Sequence, residues 1–357
     1  MSGAMRVRSL EPASGPEPVS GGGSGPTRAP ARLFEGFQGV WTPVIASHAL
    51  GAERPFGTEI AGTKVVLFRG EGGRVSALLD RCPHRGVALS LGKVKKGCLE
   101  CPFHGWQLDG EGHVRHVPWN PDAKLERLRG DAIPAREHGG LVWVYTSERA
   151  AEGEPYVPPA LLDPSVRVTA ESVVWKTHWT RAMENMLDWP HLPFVHAGTI
   201  GRGMLRASDA RMDVHWEATP WGATSRIEID GEAQKARLDF RWPNGMTLYI
   251  PITKRVFVLQ VACIPIDART TRLLLITGRD FLRAPWLDGF FHWQNRRIAV
   301  EDQAVVESSD PPEVPHAGDE ASVRTDSLPL HFRKRYYAEL RDGGRRRPLP
   351  VVASAGS

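Results

Sequence analysis

Cysteine is scarce in this 357-residue chain: there are four, at positions 82, 98, 101 and 263. They are too few and too unevenly spread for an extracellular disulfide framework, so a reducing compartment and metal ligation are the expectation. Long apolar runs are missing too. No stretch approaches the roughly 18–20 residues that span a bilayer, and the N-terminus lacks the apolar core of a signal peptide, so a soluble, cytoplasmic protein is expected. Charge imbalance is slight, with 45 Lys and Arg against 41 Asp and Glu and a formal net charge of +4. Basic and aromatic residues do not alternate along a stripe, which argues against a nucleic-acid surface, and Arg345-Arg346-Arg347 reads as a solvated end.

What is present divides the chain into four parts. Residues 1–32 are rich in Gly, Ser and Pro, as in Gly21-Gly22-Gly23-Ser24-Gly25-Pro26, and are expected to form a disordered leader, with a flexible tail over 342–357. From Phe34 short β-prone runs separated by turns (Val40–Ile45, Lys64–Arg69, Val75–Leu79, Leu141–Tyr145) predict an antiparallel β domain over 33–150. The stretch from Glu152 to Pro159 reads as a linker into a second domain over 151–341. That domain is expected to hold a helix near Lys176–Asp188 and strands at Met212–Glu217, Ser225–Ile229, Thr247–Ile252, Val256–Ile266 and Leu273–Thr277. A long helix should follow from about Trp286 to Ser308, where no Gly or Pro occurs after Gly289. The fold class is therefore α+β, an antiparallel β domain followed by an antiparallel sheet covered by helices.

Two motifs carry chemistry. The first is Cys82-Pro83-His84-Arg85-Gly86 with Cys101-Pro102-Phe103-His104-Gly105-Trp106. Two thiolates and two imidazoles on separate loops suit a Rieske two-iron two-sulfur centre, with sulfur on one iron and nitrogen on the other. A zinc finger uses the same residue types but a different spacing. Gly86 and Gly105 allow backbone N–H groups to approach the sulfurs, and Trp106 is placed either to shield the cluster or simply to pack. Cys98 and Cys263 are surplus to this set and read as small buried hydrophobes.

The second motif is Glu184-Asn185-Met186-Leu187-Asp188-Trp189-Pro190-His191-Leu192-Pro193-Phe194-Val195-His196. On one continuous helix His191 and His196 would stand roughly 140° apart, so a shared ion requires a break, which Pro190 and Pro193 supply. Two histidines and one carboxylate make the facial set of a non-haem iron centre. In the long C-terminal helix, Asp302 sits among Phe291, Ile298, Ala299, Val305 and Val306, while Glu301 lies on another face, where Arg296 and Arg297 offer ion pairs.

With both motifs in this order, the chain resembles the Rieske non-haem iron oxygenases, specifically the terminal oxygenase component, across about residues 34–340. The resemblance implies a helix-grip catalytic domain, a Rieske [2Fe-2S] cluster on Cys82, His84, Cys101 and His104, and a mononuclear Fe(II) on His191, His196 and Asp302. The family's carboxylate ligand lies in such a Glu-Asp helix. Asp188 matches a family aspartate that hydrogen-bonds an iron-ligand histidine, here His191, and a Rieske histidine of the neighbouring chain, His104 or His84. It is the expected electron junction and implies a ring, a homotrimer by expectation. Glu184 and Asn185 match a family pair expected to hydrogen-bond around the site, an ordinary helix salt bridge being the alternative for Glu184. Glu307-Ser308-Ser309 departs from relatives that carry Gln two residues after the acid.

The chain shows no nicotinamide or flavin signature, so NAD(P)H electrons would arrive through a separate ferredoxin or flavin reductase. Lys93, Lys95 and Lys96, between the cluster motifs, either steer such an acidic partner or form a solvated loop. The short ordered length resembles the homotrimeric members that hydroxylate or demethylate, and the expected reaction is monooxygenation of a largely apolar small molecule by dioxygen. A cis-dihydroxylating enzyme and a non-catalytic electron-transfer protein are the alternatives. Met183, Leu187, Trp242, Leu248, Ile250, Val258 and Phe290 are the expected pocket lining.

Overall fold

Strand Thr63–Arg69 shows how the chain divides its interior. Val65 and Leu67 point into one core and Val66 and Phe68 into another, because successive side chains of a strand leave opposite faces. The computed structural model of the chain describes residues 33–147, 150–201 and 209–341. The expected leader and tail lie outside these residues.

The smaller core joins Val66, Phe68, Leu78, Leu89, Leu99 and Leu108 to Cys82 and Cys101. It is built between two four-stranded antiparallel sheets. One runs Phe56–Ile60, Thr63–Arg69, Val75–Leu79, Ala132–Ile133; the other runs Lys93–Lys95, Cys98–Glu100, Gln107–Leu108, Val114–His116. The first cysteine loop follows Val75–Leu79, and the second connects Cys98–Glu100 to Gln107–Leu108. A three-stranded sheet, Trp41–Ala46, Leu141–Tyr145 and Ala135–His138, contributes Val44, Leu141, Val142 and Val144 to the larger core.

The larger core is laid on an eight-stranded antiparallel sheet. Its path runs Arg167–Trp175, Thr270–Arg279, Phe257–Asp267, Gly245–Tyr249, Arg237–Arg241, Gly222–Ile229, Met212–Thr219, with Glu232–Ala233 paired beside it. The helices are α1 (Pro159–Leu162), α2 (Trp179–Leu187), α3 (Leu192–Val195), α4 (Asp288–Glu307) and α5 (Ser327–Tyr336). Helix α2 buries Trp179, Ala182, Met183 and Leu187. Helix α4 buries Phe291, Asn295, Ala299, Asp302 and Val306, a stripe in steps of three and four residues. Each large apolar side chain fully buried in this way contributes about 1.5–3 kcal/mol.

Register decides which sheet residues meet the helices. Asn295 of α4 donates to Thr277 Oγ1 at 2.8 Å, so Thr277 and its cross-strand partner Leu259 face α4, and Leu248, opposite Leu259, faces it as well. Val258 pairs with Gly278 on the other face. A Cβ at Gly278 would meet Leu161, Val258 and Val166 within 3.3 Å. The N-terminus of α4 is fixed by Asp288, whose carboxylate takes Arg167 and the fully buried Arg279; the Arg279 guanidinium also lies 4.1 Å from the Phe291 ring centre. No helix among the described residues is long and apolar enough to cross a membrane.

The α+β class and the long C-terminal helix stand as expected, the helix starting at Asp288 after a tight turn over Pro285–Leu287. Among the strands of five or more residues, three were not expected: Phe56–Ile60, Arg167–Trp175 and Arg237–Arg241. Each carries charged residues among its apolar ones, which obscures the two-residue period.

Candidate metal centres

The two cysteine loops are built alike. Cys82 N–H donates to Val87 O and Gly86 N–H to Cys82 O, both at 2.8 Å; Cys101 N–H donates to Trp106 O at 2.8 Å and Gly105 N–H to Cys101 O at 3.0 Å. Gly86 and Gly105 adopt φ of 70° and 69°, the left-handed conformation that side chains disfavour. Both sulfurs are buried, and all four cysteines are unpaired as disulfides. Burial pushes the Cys82 thiol up, while the backbone N–H groups of His84 and Arg85 pull it down and the Cys101 thiol beside it raises it again.

The imidazoles of His84 and His104 lie with ring centres 4.6 Å apart. His84 is stacked on Trp106 at 4.5 Å and an interplanar angle of 2°, and Phe103 lies 3.9 Å from His104. His84 Nδ1 is buried and takes no hydrogen-bond partner. A buried imidazole nitrogen left open beside two buried thiols fits a cluster that takes two sulfurs and two nitrogens. Lys93 and Lys95 lie 3.2 and 3.6 Å from Glu100, so two of the three lysines considered for partner steering are engaged within the sheet.

At the second centre the helix does break between the histidines. Helix α2 ends at Asp188, whose φ of −86° and ψ of 134° are extended, and α3 begins after Pro190 with His191 as its N-terminal flank and His196 as its C-terminal flank. Trp189 is buried and donates to Ser225 Oγ of the sheet at 3.1 Å, anchoring the break. Asp302 reaches the same point from α4. His196 Nε2 lies 3.1 Å and His191 Nε2 3.6 Å from Asp302 Oδ1. The three donor atoms fall within 4.8 Å of one another.

Asp302 Oδ1 is buried and accepts no hydrogen bond, although two imidazole nitrogens stand beside it. Three donors converging without satisfying each other fit a shared cation. The remaining nitrogen of each histidine is held by a carboxylate. His191 Nδ1 lies 3.1 Å from Asp188 Oδ2, and His196 Nδ1 lies 2.9 Å from Glu301 Oε2. Burial opposes charge on His196, but Asp302 and Glu301 outweigh it and raise its pKa.

Glu301 is the residue that sequence reasoning missed. Its helical angle suggested pairing with arginine, and Arg297 Nε is indeed near, at 3.8 Å, yet His196 and the Thr199 hydroxyl, at 2.6 Å, are closer. The adjacency to Asp302 was the available signal. Successive helix positions diverge by about 100°, and so can approach one ligand cluster from two sides.

Other expected site residues are placed differently. Glu184 binds Arg181 at 2.9 Å and Arg333 at 2.5 Å, and both arginines also bind Glu320, so its contacts join α2 to α5 and do not reach His191 or His196. Asn185 Nδ2 is buried without a partner, and its carbonyl accepts from Asp188 N at 3.3 Å. Met183 and Leu187 are buried in the core beneath α2. Trp242 packs against Phe240, Phe332 and Arg335, and Leu248 faces α4, with Ile250 half-buried two residues on. Val258 is on the opposite face of the sheet and Phe290 on the outer side of α4, 52% exposed; neither position allows it to line a pocket between the sheet and α4.

Comparison with known proteins finds a match for each half of the chain. Residues 40–128 match the Rieske [2Fe-2S] domain, and residues 175–341 match the vanillate O-demethylase oxygenase C-terminal domain. The methylxanthine N3-demethylase NdmB of Pseudomonas putida is 30% identical over 301 residues, which is 80% of this chain and 83% of that protein. The chloroplastic chlorophyllide a oxygenase of Chlamydomonas reinhardtii is 34% identical over 291 residues, 77% of this chain but 44% of its own length. Among solved structures, Pseudomonas putida CBB5 NdmA superposes with a TM-score of 0.69 at 26% identity, covering 84% of this chain and 89% of that one. Dicamba monooxygenase bound to dicamba shares the fold, with a TM-score of 0.70 at 22% identity over 84% and 96% of the two chains. The chain therefore belongs to the Rieske non-haem iron oxygenases, as a terminal oxygenase that uses a [2Fe-2S] cluster and a mononuclear iron and draws its electrons from a separate reductase.

Proposed function

We propose that the chain is a monooxygenase that hydroxylates or demethylates a largely apolar small molecule, with Cys82, His84, Cys101 and His104 as cluster ligands and His191, His196 and Asp302 as iron ligands. The carrying observation is the convergence of the three oxygenase-domain donors within 4.8 Å. An electron carrier has no use for such a site. When bound, the cluster supplies single electrons and the iron activates dioxygen.

The residues present do the positioning. Asp188 fixes the ring of His191 through Nδ1, which leaves Nε2 directed at Asp302. Its side chain is 26% exposed, and this supports the reading that Asp188 is the junction to His104 of a neighbouring protomer in a homotrimer. His104 is exposed as well, as such a contact requires. A cytoplasmic location suits a chain whose cysteines are all unpaired and of which two must act as thiolates.

Demethylation is favoured within this class. The matched C-terminal family is that of vanillate O-demethylase, and the methylxanthine N3-demethylase aligns over 80% of the chain, whereas the 3-chlorobenzoate-3,4-dioxygenase subunit of Comamonas testosteroni aligns over 44%. A small aromatic ring bearing an N- or O-methyl group is the proposed substrate class. Turnover under ¹⁸O-labelled dioxygen with a reductase and such compounds should give formaldehyde and one labelled oxygen per product pair. A cis-diol carrying two labelled atoms would establish the dihydroxylating alternative instead.

A further inference from the structure

The two histidines of the iron site are not held in the same way, and the difference lies in α4. His191 is held from its own segment, by Asp188 three residues earlier. His196 is held from across the fold, by Glu301 of α4, more than a hundred residues away in sequence. The same Oε2 accepts the hydroxyl of Thr199 at 2.6 Å. Thr199 and Gly201 in turn close on His196 by donating their N–H groups to its carbonyl at 2.9 and 3.0 Å. Gly201 is pressed against the chain there, since a Cβ would lie 2.0 Å from Leu192 O.

From this geometry we infer that Glu301 is a positioning residue of the iron site: it fixes the tautomer and ring angle of His196 and, through Thr199, clamps the turn after His196 to the helix that presents Asp302. Glu301 and Asp302 then leave α4 side by side with separate tasks. One supplies an oxygen to the site and the other orients a nitrogen supplied from a different segment. A carboxylate on the distal nitrogen of a ligand imidazole makes the facing nitrogen a better donor and removes its rotational freedom. The alternative, a surface ion pair with Arg297, is disfavoured by the 3.8 Å separation and by the 48% exposure of the arginine. The inference rests on His196 binding metal, as proposed above.

The test compares Glu301→Ala, Glu301→Gln and Thr199→Val in the full-length protein. Fe(II) affinity is measured by chelator competition, and the His196 ring is followed by ¹⁵N resonances in Zn(II)-loaded protein. Glu301→Ala should weaken Fe(II) binding about 10–100-fold and release the Nδ1–H signal to solvent exchange. Glu301→Gln, which keeps an acceptor oxygen, should recover most of the affinity. Thr199→Val should give a smaller loss that does not add to that of Glu301→Ala, because both act through one contact. The absorbance of the [2Fe-2S] cluster in the same samples reports whether the chain has folded. Fe(II) affinity unchanged in folded Glu301→Ala, or equal losses in the Ala and Gln variants, would overturn the assignment. Loss of metal binding in His196→Ala, with Glu301→Ala unaffected, would do so while leaving the iron reading intact.

Discussion

Asp188 holds His191 twice through one oxygen: Oδ2 lies 3.1 Å from the ring Nδ1 and accepts the His191 backbone N–H at 3.0 Å. Replacement by asparagine preserves the shape and an acceptor but removes the charge. Asp188→Asn should keep both metal centres, as judged by iron content and the cluster spectrum, while slowing reoxidation of the reduced cluster in single-turnover mixing. Loss of the mononuclear iron with unchanged electron transfer would mean that the aspartates have been assigned to the wrong tasks.

Asp288 anchors the helix that carries Asp302. The Arg167 guanidinium holds its carboxyl down against the opposing effect of burial, with Arg279 assisting, so that its pKa falls to about 2. A depressed carboxylate adds stability above its ordinary titration range and loses it as the pH drops towards about 2. Asp288→Asn should therefore cost about 3–5 kcal/mol in denaturant unfolding near neutral pH, because buried Arg279 loses its counter-charge. The difference from the parent should shrink steadily on acidification.

Glu171 behaves in the opposite sense. It faces α4 with a side chain 9% exposed, its Oε1 buried and unpartnered, and Arg296 3.8 Å from Oε2. Burial pushes its pKa up to about 7 despite Arg296. In the unfolded chain the group titrates near 4.5, so between that pH and about 7 the unfolded state sheds a proton that the native state retains. Stability is then fully present at low pH and is lost as pH rises through this window. Glu171→Gln should match the parent below about pH 4.5, gain on it as the pH rises through the window, and exceed it by the full margin above about pH 7. Parallel stability curves for the two proteins would refute the expected protonation state.

Among the three lysines between the cluster loops, Lys96 is the informative one. Lys93 and Lys95 are tied to Glu100, so reversing their charge would also disturb the sheet. Lys96→Glu should raise the apparent KM for an acidic reductase partner and leave peroxide-supported turnover unchanged. Equal losses in the two assays would argue for a structural role.

Both metal centres were legible because their chemistry is written in short, local spacings. Cys82-x-His84 and Cys101-x-x-His104 each place two proposed ligands within one loop, and the Asp188 to His196 stretch places two more at the ends of one short helix. Asp302, which is buried beside both histidines, was singled out by its apolar neighbours on α4 and by the resemblance to a family whose carboxylate lies in a Glu-Asp helix. Glu301 was not, since its partner is a histidine far off in sequence and nothing local distinguishes it from an arginine-paired surface acid. Strand Arg167–Trp175 was hidden for a related reason: Thr169 and Glu171 face α4, so the polar residues fall on the covered side of the sheet. Val258 was misplaced because hydrophobicity reports burial but not which face is buried, which strand register decides, and Phe290 because an apolar helix residue can also stand exposed on the outer side.

The strand Thr63–Arg69 has a consequence for how this molecule can change over generations. Val65 and Leu67 belong to the core that continues into the oxygenase sheet, and Val66 and Phe68 to the core around the cysteines. Neighbouring codons are therefore answerable to different selective pressures. Odd positions should covary with residues of the catalytic half and even positions with the cluster half, and recombination that exchanges either half alone would leave every second side chain of this strand mismatched.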